Sequence, residues 1–161
     1  MQKTFKKQGG FSLVEIIVVM AILAIGIMGV MSLYGGAKSG SDVNSGSKNL
    51  TTIQAAIKAS YGMQGNYDGL TLADVQKHSA WPANYAGGKH EWGGTIAIAP
   101  ATGNTQFTIT FNGMPEEACN EMGKLTYKSF NSLKVGSTTI TKAADTSSAC
   151  KATNVMTWTD F

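Results

Sequence analysis

A run of apolar residues from Leu13 to Met31, broken by one charge at Glu15, constrains this chain more than any other stretch. About 18 or more such residues suffice for a helix to cross the ~30 Å hydrocarbon core of a bilayer. Lys3, Lys6 and Lys7 precede the run, so its N-terminal end is expected on the cytoplasmic side. The run exceeds the roughly 7–15 apolar residues of a secretory signal, and no small-residue cleavage site follows it. A plain membrane anchor or an uncleaved signal peptide satisfies the hydropathy equally well. Neither explains Glu15. A carboxylate inside an apolar helix costs at least about 2.5 kcal/mol, so a residue kept there is a functional candidate that needs a cationic partner.

The rest of the 161 residues allows one domain of modest size. Setting aside residues 1–10 and the apolar helix leaves about 125 residues, enough to bury a core of their own. The formal charge is +3, and all 13 basic residues are Lys. Three of them lie ahead of the apolar run, and the remaining 10 Lys balance 10 acidic residues. With no Arg and no basic excess, a nucleic-acid reader is disfavoured, because base and phosphate recognition relies on a basic face and bidentate Arg contacts. Cys119 and Cys150 are the only cysteines. Beyond an exported segment, two cysteines read as one disulfide, with two separate buried thiols as the alternative. Two Cys and two distant His fall short of a zinc site.

Several glycines follow the apolar run, at Gly35, Gly36, Gly40 and Gly46. Each weakens a helix by about 1 kcal/mol relative to Ala, so the stretch is either a flexible linker or a conditionally stable helix. Val43, Leu50, Ile53, Ile57 and Tyr61 then recur at helical spacing and give one apolar stripe. The expectation is one glycine-weakened helix from Ser12 to about Tyr61, stopped by Gly62 and Gly65. Residues 62–93 read as loop, with a short helix over Leu70–Lys77 and breakers at Trp81-Pro82 and Gly87-Gly88. Asn66-x-Asp68-Gly69 reads as an ordinary turn, since it lacks the ligands of a cation loop. Residues 95–99 and 106–111 alternate with period two and form a hairpin around Ala101–Asn104. Pro115, Glu116 and Glu117 open a helix that carries Cys119. Leu133–Thr141 and Val155–Thr159 read as further β segments.

Catalytic arrangements are not apparent. His78 and His90 are isolated, and His90-Glu91 reads as a solvated pair. Glu116, Glu117 and Glu121 fit an exposed helix face better than paired general acids. Tyr61, Tyr67, Trp81, Tyr85 and Trp92 read as sealing the domain or a subunit contact. No catalytic, cofactor-binding or metal-ligating residue is nominated.

Gly10-Phe11-Ser12-Leu13-Val14-Glu15, after a short basic leader, resembles the processing site of type IV prepilins. The resemblance implies cleavage by a prepilin peptidase between Gly10 and Phe11, N-methylation of Phe11, and Glu15 as the acidic residue that guides assembly. Further along, a glycine pair before a hairpin and Phe111-Asn112-Gly113-Met114 leading to Cys119 resemble the type IVb pilins, of the bundle-forming and toxin-coregulated kinds. The ten-residue leader followed by Phe11 departs from that subclass, whose leaders are usually longer. Type IV pilins often carry a proline in the apolar half of the helix, and none is present here.

The implied fold is α+β and type IV pilin-like, a long N-terminal hydrophobic helix packed on an antiparallel sheet domain. Its parts are a leader (1–10), a transmembrane and assembly helix (11–34), the second half of the helix (35–61) and a globular domain (62–161) whose C-terminal loop is closed by the disulfide. The implied function is the structural subunit of a type IVb pilus, assembled rather than catalytic, without a cofactor. Its expected partners are identical subunits, the prepilin peptidase, the inner-membrane assembly machinery and, before assembly, the membrane; no nucleic acid is required. The prepilin is expected in the inner membrane with its domain in the periplasm, and the assembled filament outside the cell. A type II secretion pseudopilin shares the processing motif, and a non-polymerising anchored periplasmic domain shares the hydropathy.

Overall fold

The computed structural model describes residues 12–161, with side chains described outside 28–38. α1, Leu13–Tyr61, is a helix of 49 residues that runs through Gly35, Gly36, Gly40 and Gly46. It is followed by α2 (Leu72–Gln76), β1 (Ile96–Pro100), β2 (Phe107–Met114), α3 (Glu116–Thr126), β3 (Ser132–Val135), β4 (Thr138–Ile140), α4 (Ala143–Ala149) and β5 (Asn154–Asp160). Contacts divide the chain between Lys38 and Ser39, so the Ser39–Tyr61 part of α1 belongs to the unit that contains the sheet.

Within that unit the helical stripe is buried at Val43, Leu50, Ile53 and Ile57, and Tyr61 packs at its margin. Ala56 is buried on the same side. α1 gives way at Tyr61 to a short 3-10 turn, Gly62–Gln64, and Gly65 leaves it at φ 70°. Thr71 caps α2, its hydroxyl oxygen accepting from the Asp74 amide at 3.3 Å.

The five strands lie in the order β1-β2-β5-β3-β4, antiparallel at every pairing. β1 and β2 form the expected hairpin, with Ile98 opposite Ile109. Phe107, Ile109 and Phe111 point into the core while Thr108 and Thr110 face outward, the alternation the sequence shows. The last strand is inserted at the centre, with Trp158 opposite both Ile109 and Leu133. Fully buried, Trp158 donates its indole N–H to Thr126 Oγ1 at 2.9 Å and meets Phe111 edge-on at 5.2 Å between ring centroids.

Two expectations need correction. Leu133–Thr141 is not one β segment but the β3–β4 hairpin, because Gly136 takes φ 58° and reverses the chain there. α4 was not anticipated, since Ala-Ala-Asp-Thr-Ser-Ser-Ala has weak helical periodicity. It is held by Asp145, whose carboxylate accepts from the Thr141 amide (3.0 Å), the Thr141 hydroxyl (2.9 Å) and the Lys142 amide (3.1 Å). Those contacts satisfy donors at the helix entrance that would otherwise lack a partner.

Candidate functional site

The first candidate is the start of α1. Ser12 precedes the helix, and its carbonyl accepts from the amides of Glu15 (3.0 Å) and Ile16 (3.2 Å). Glu15 therefore lies in the first turn, where a carboxylate is favoured by the unpaired amides of the helix N-terminus. Every side chain from Ser12 to Ile27 is exposed, from Leu13 at 74% to Val19 at 50%. The apolar surface covers the helix all round, the signature of a segment meant for a nonaqueous neighbourhood rather than for one core-facing stripe. Gly10 and Phe11 lie outside the described residues, as does the leader. Among the described residues no helix is long and apolar enough to cross a membrane.

The second candidate is the surface closed by the disulfide. Cys119 in α3 and Cys150 at the end of α4 are bonded, with Cα atoms 5.9 Å apart and a sequence separation of 31. Both are buried. The two helices touch closely because Gly123 has no side chain: a Cβ there would lie 2.5 Å from Thr146 Cγ2. Thr146 is itself fixed, its hydroxyl 2.7 Å from Asn120 Oδ1 and 2.7 Å from the Ala143 carbonyl. Thr126, one turn further along α3, donates to the Met122 carbonyl at 2.6 Å and receives the Trp158 indole. A continuous chain of contacts thus joins the disulfide to the central strand.

Two polar clusters tie α1 to the rest of its unit. At the sheet end, Lys58 Nζ lies 2.7 Å from Asp160 Oδ2, and Gln54 donates to the same oxygen. Burial pushes the Asp160 carboxyl up, but the hydrogen bonds from Lys58 and Gln54 outweigh it and hold the group below its ordinary value. On the loop side, Glu91 accepts from Asn49 Nδ2 at 2.7 Å, from Asn84 Nδ2 at 3.4 Å and from the Tyr85 hydroxyl. Burial, reinforced by the Glu91 contact, pushes the Tyr85 phenol well above its ordinary range. Trp92 packs on α1 where Gly46 leaves room, since a Cβ at Gly46 would meet the indole at 2.8 Å.

This corrects the expectation of a solvated His90-Glu91 pair: His90 is 4% exposed and Glu91 is engaged on both oxygens. A signal was present in Gly46, a glycine on the buried stripe between Val43 and Leu50, which implies a bulky residue approaching the helix. Tyr85 and Trp92 do seal the domain, as expected. The Asp68 amide donates to Asn66 Oδ1 at 3.2 Å, the bond of an ordinary Asx turn, and the Asp68 carboxylate accepts from Asn104 Nδ2 in the β1–β2 loop at 3.2 Å.

The fold is similar to that of TcpA, a type IV pilin from the El Tor biotype of Vibrio cholerae, with a TM-score of 0.60 at 15% identity over 75% of this chain and 99% of that one. Residues 5–31 match the prokaryotic N-terminal methylation motif, and residues 40–160 match the PilS N-terminal family. The major structural subunits of the bundle-forming pilus from Escherichia coli O127:H6 and O111:H- are each 30% identical over 135 residues, covering 78% of this chain and 67% of the relative. The chain belongs to the type IV pilins. Its relatives are subunits of the bundle-forming pilus, one of the kinds to which the Phe111–Met114 stretch and Cys119 already pointed. Its fold is the expected α+β arrangement, helices with a five-stranded antiparallel sheet.

Proposed function

We propose that this pilin is the major structural subunit of a type IVb pilus, held in the inner membrane before assembly and in an extracellular filament after it. A prepilin peptidase cuts between Gly10 and Phe11 and methylates the new amine of Phe11. The observation that carries this reading is the methylation motif over residues 5–31 leading into a helix whose apolar side chains are exposed on all sides from Leu13 to Ile27. Such a helix is stable in lipid or in a bundle of its own kind. Transferring about 20 apolar side chains from lipid to bundle keeps roughly 1.5–3 kcal/mol each out of water, so the filament competes with the bilayer on equal terms. Small residues in Met20–Gly29 favour close helix approach.

Glu15 supplies the register. It stands four positions from Phe11, about one helical turn, within reach of the Phe11 amine of its own chain or of a neighbour. A carboxylate left unpaired among apolar side chains costs several kcal/mol, so the axial position that pairs it is strongly selected. Compared with a pseudopilin or a non-polymerising anchor, the pilus subunit is favoured by the 30% identity to bundle-forming pilus subunits over 135 residues. The test is mass spectrometry of sheared surface filaments together with electron microscopy using an antibody to this chain. A filament subunit beginning at Phe11 with one added methyl is expected, and Gly10→Val should retain the leader. Filaments built from subunits with intact leaders would overturn the proposal.

A further inference from the structure

His90 occupies a position that accepts only one protonation state. Its Nε2 lies 2.8 Å from the Asn112 carbonyl oxygen, which can only accept, so Nε2 carries the proton. Nδ1 is left with a lone pair and accepts the Trp92 backbone N–H at 3.3 Å. The ring stacks on Phe111 at 5.0 Å and 22°. The surrounding turn is closed by the His90 amide donating to the Gly94 carbonyl (3.0 Å) and the Gly93 amide to the His90 carbonyl (2.8 Å). Gly94 has no room for a side chain, since a Cβ there would sit 1.7 Å from the Asn112 oxygen and 2.6 Å from His90 Nε2. A second proton on the ring has no acceptor. It would set Nδ1–H against Trp92 N–H, two donors facing each other at a residue that is only 4% exposed.

The same turn carries the two residues that hold the loop on α1, Trp92 against Gly46 and Glu91 on Asn49. We infer that His90 is an acid-released latch: protonation at Nδ1 breaks the bond to Trp92 and frees the 90–94 turn from the α1 face at Gly46 and Asn49. β2 presents Phe111 and Asn112 to the ring and α1 reaches the turn through Gly46 and Asn49, none of them charged; Glu91 is the carboxylate that acts on His90. Burial drives the imidazole below its ordinary value, while the Asn112 carbonyl and Glu91 act in the opposite direction and do not reverse it. In the open loop the imidazole regains an ordinary pKa of about 6.5. The closed form binds the proton less tightly, so closure is fully favoured above that pH and is lost as pH falls toward the folded-state value. Across that window the opening equilibrium rises about tenfold per pH unit.

Hydrogen exchange read by mass spectrometry on the full chain in detergent micelles tests the latch between about pH 7.5 and pH 5, with exchange times scaled for intrinsic rates. Peptides covering 89–94 should lose protection as the solution is acidified, while peptides within α3 keep theirs. Protection of the turn that is independent of pH would overturn the inference, as would an equal loss in α3, which would mean global unfolding. His90→Gln retains a donor and an acceptor but does not titrate, so its turn should be equally protected across the range. Acid opening that persists in His90→Gln would assign the effect to another group and also overturn it. Should the variant's turn be open at every pH, the His90 C2 proton of the unaltered chain, followed by NMR, decides: a midpoint below about 6.5 supports the latch, and one at or above it refutes it.

Discussion

Replacing Cys119 and Cys150 together by Ala tests how far the α3–α4 surface depends on its covalent tie. The bond closes a loop with a sequence separation of 31. On the chain-entropy relation, releasing a loop of that length stabilises the unfolded state by roughly 3–4 kcal/mol. Both sulfurs are buried, and removing them leaves a small void whose cost adds on the order of 1 kcal/mol. The unit Ser39–Phe161 should unfold with an entropy of about 0.26 kcal/mol/K, so the sum corresponds to a fall in Tm of roughly 15–19 °C. Near-ultraviolet circular dichroism is the appropriate assay, because Trp158 is fixed in the core by Thr126 and Phe111 and its signal reports loss of packing. A fall below about 5 °C would refute the reasoning, since the entropy released would then be well under the predicted value. It would mean that Thr146, Asn120 and the Gly123 contact hold α4 on α3 unaided. Leader removal should be unaffected in either case, because the processing motif and the disulfide lie at opposite ends of the chain.

Glu15→Ala removes the proposed register charge but neither the anchor nor the cleavage site; cells in which it is the sole pilin should contain processed subunit in the inner membrane and no surface pili by electron microscopy. Normal piliation would remove Glu15 from assembly, and loss of cleavage would assign it to the peptidase. Asp160 has a lowered folded-state pKa, so its contribution to stability is present above its ordinary pKa and is lost as pH falls through the folded value. Asp160→Asn should therefore lower Tm at neutral pH and flatten the acid side of the Tm–pH curve, and an unchanged acid limb would count against the Lys58–Asp160 tie. Gly123→Ala adds helix propensity but places Cβ 2.5 Å from Thr146 Cγ2. Because Thr146 is short, buried and hydrogen-bonded, overpacking should win and cost about 1–3 kcal/mol in chemical denaturation; a gain in stability would show that α4 yields.

Much of the fold was legible because its signals are local. The stripe from Val43 to Ile57 needs only the helical period, and the β1–β2 hairpin needs only alternation around Ala101–Asn104. The β3–β4 turn was missed because Thr138 and Thr139 continue a β-favouring composition across Gly136, so only the φ of one residue separates one strand from two. The central position of β5 depends on which strand pairs with which, and neither propensity nor alternation within Asn154–Asp160 encodes that order. What selects it is the size of Trp158, which needs a neighbour on both sides and a hydroxyl within reach, conditions met between Ile109 and Leu133 beneath Thr126.

The candidate sites divide along the same line. Glu15 stands out in sequence because a charge in an apolar run is anomalous wherever that run ends up. His90 and Glu91 do not, because two polar residues in a loop look solvated until the partners are known. Those partners, Asn49 and Asn112, lie on α1 and β2, 41 and 22 positions away from His90 in the chain. The indirect evidence was in the glycines. Gly46 on a buried stripe and Gly94 after Trp92 are sites where a side chain has been given up, and the structure shows what each makes room for: the Trp92 indole in one case, the His90 ring and the Asn112 carbonyl in the other. Gly40, on the same helix as Gly46 but exposed, faces open space; it is therefore a glycine at a buried or half-buried position that marks close approach, and it points to the polar cluster that composition alone hides.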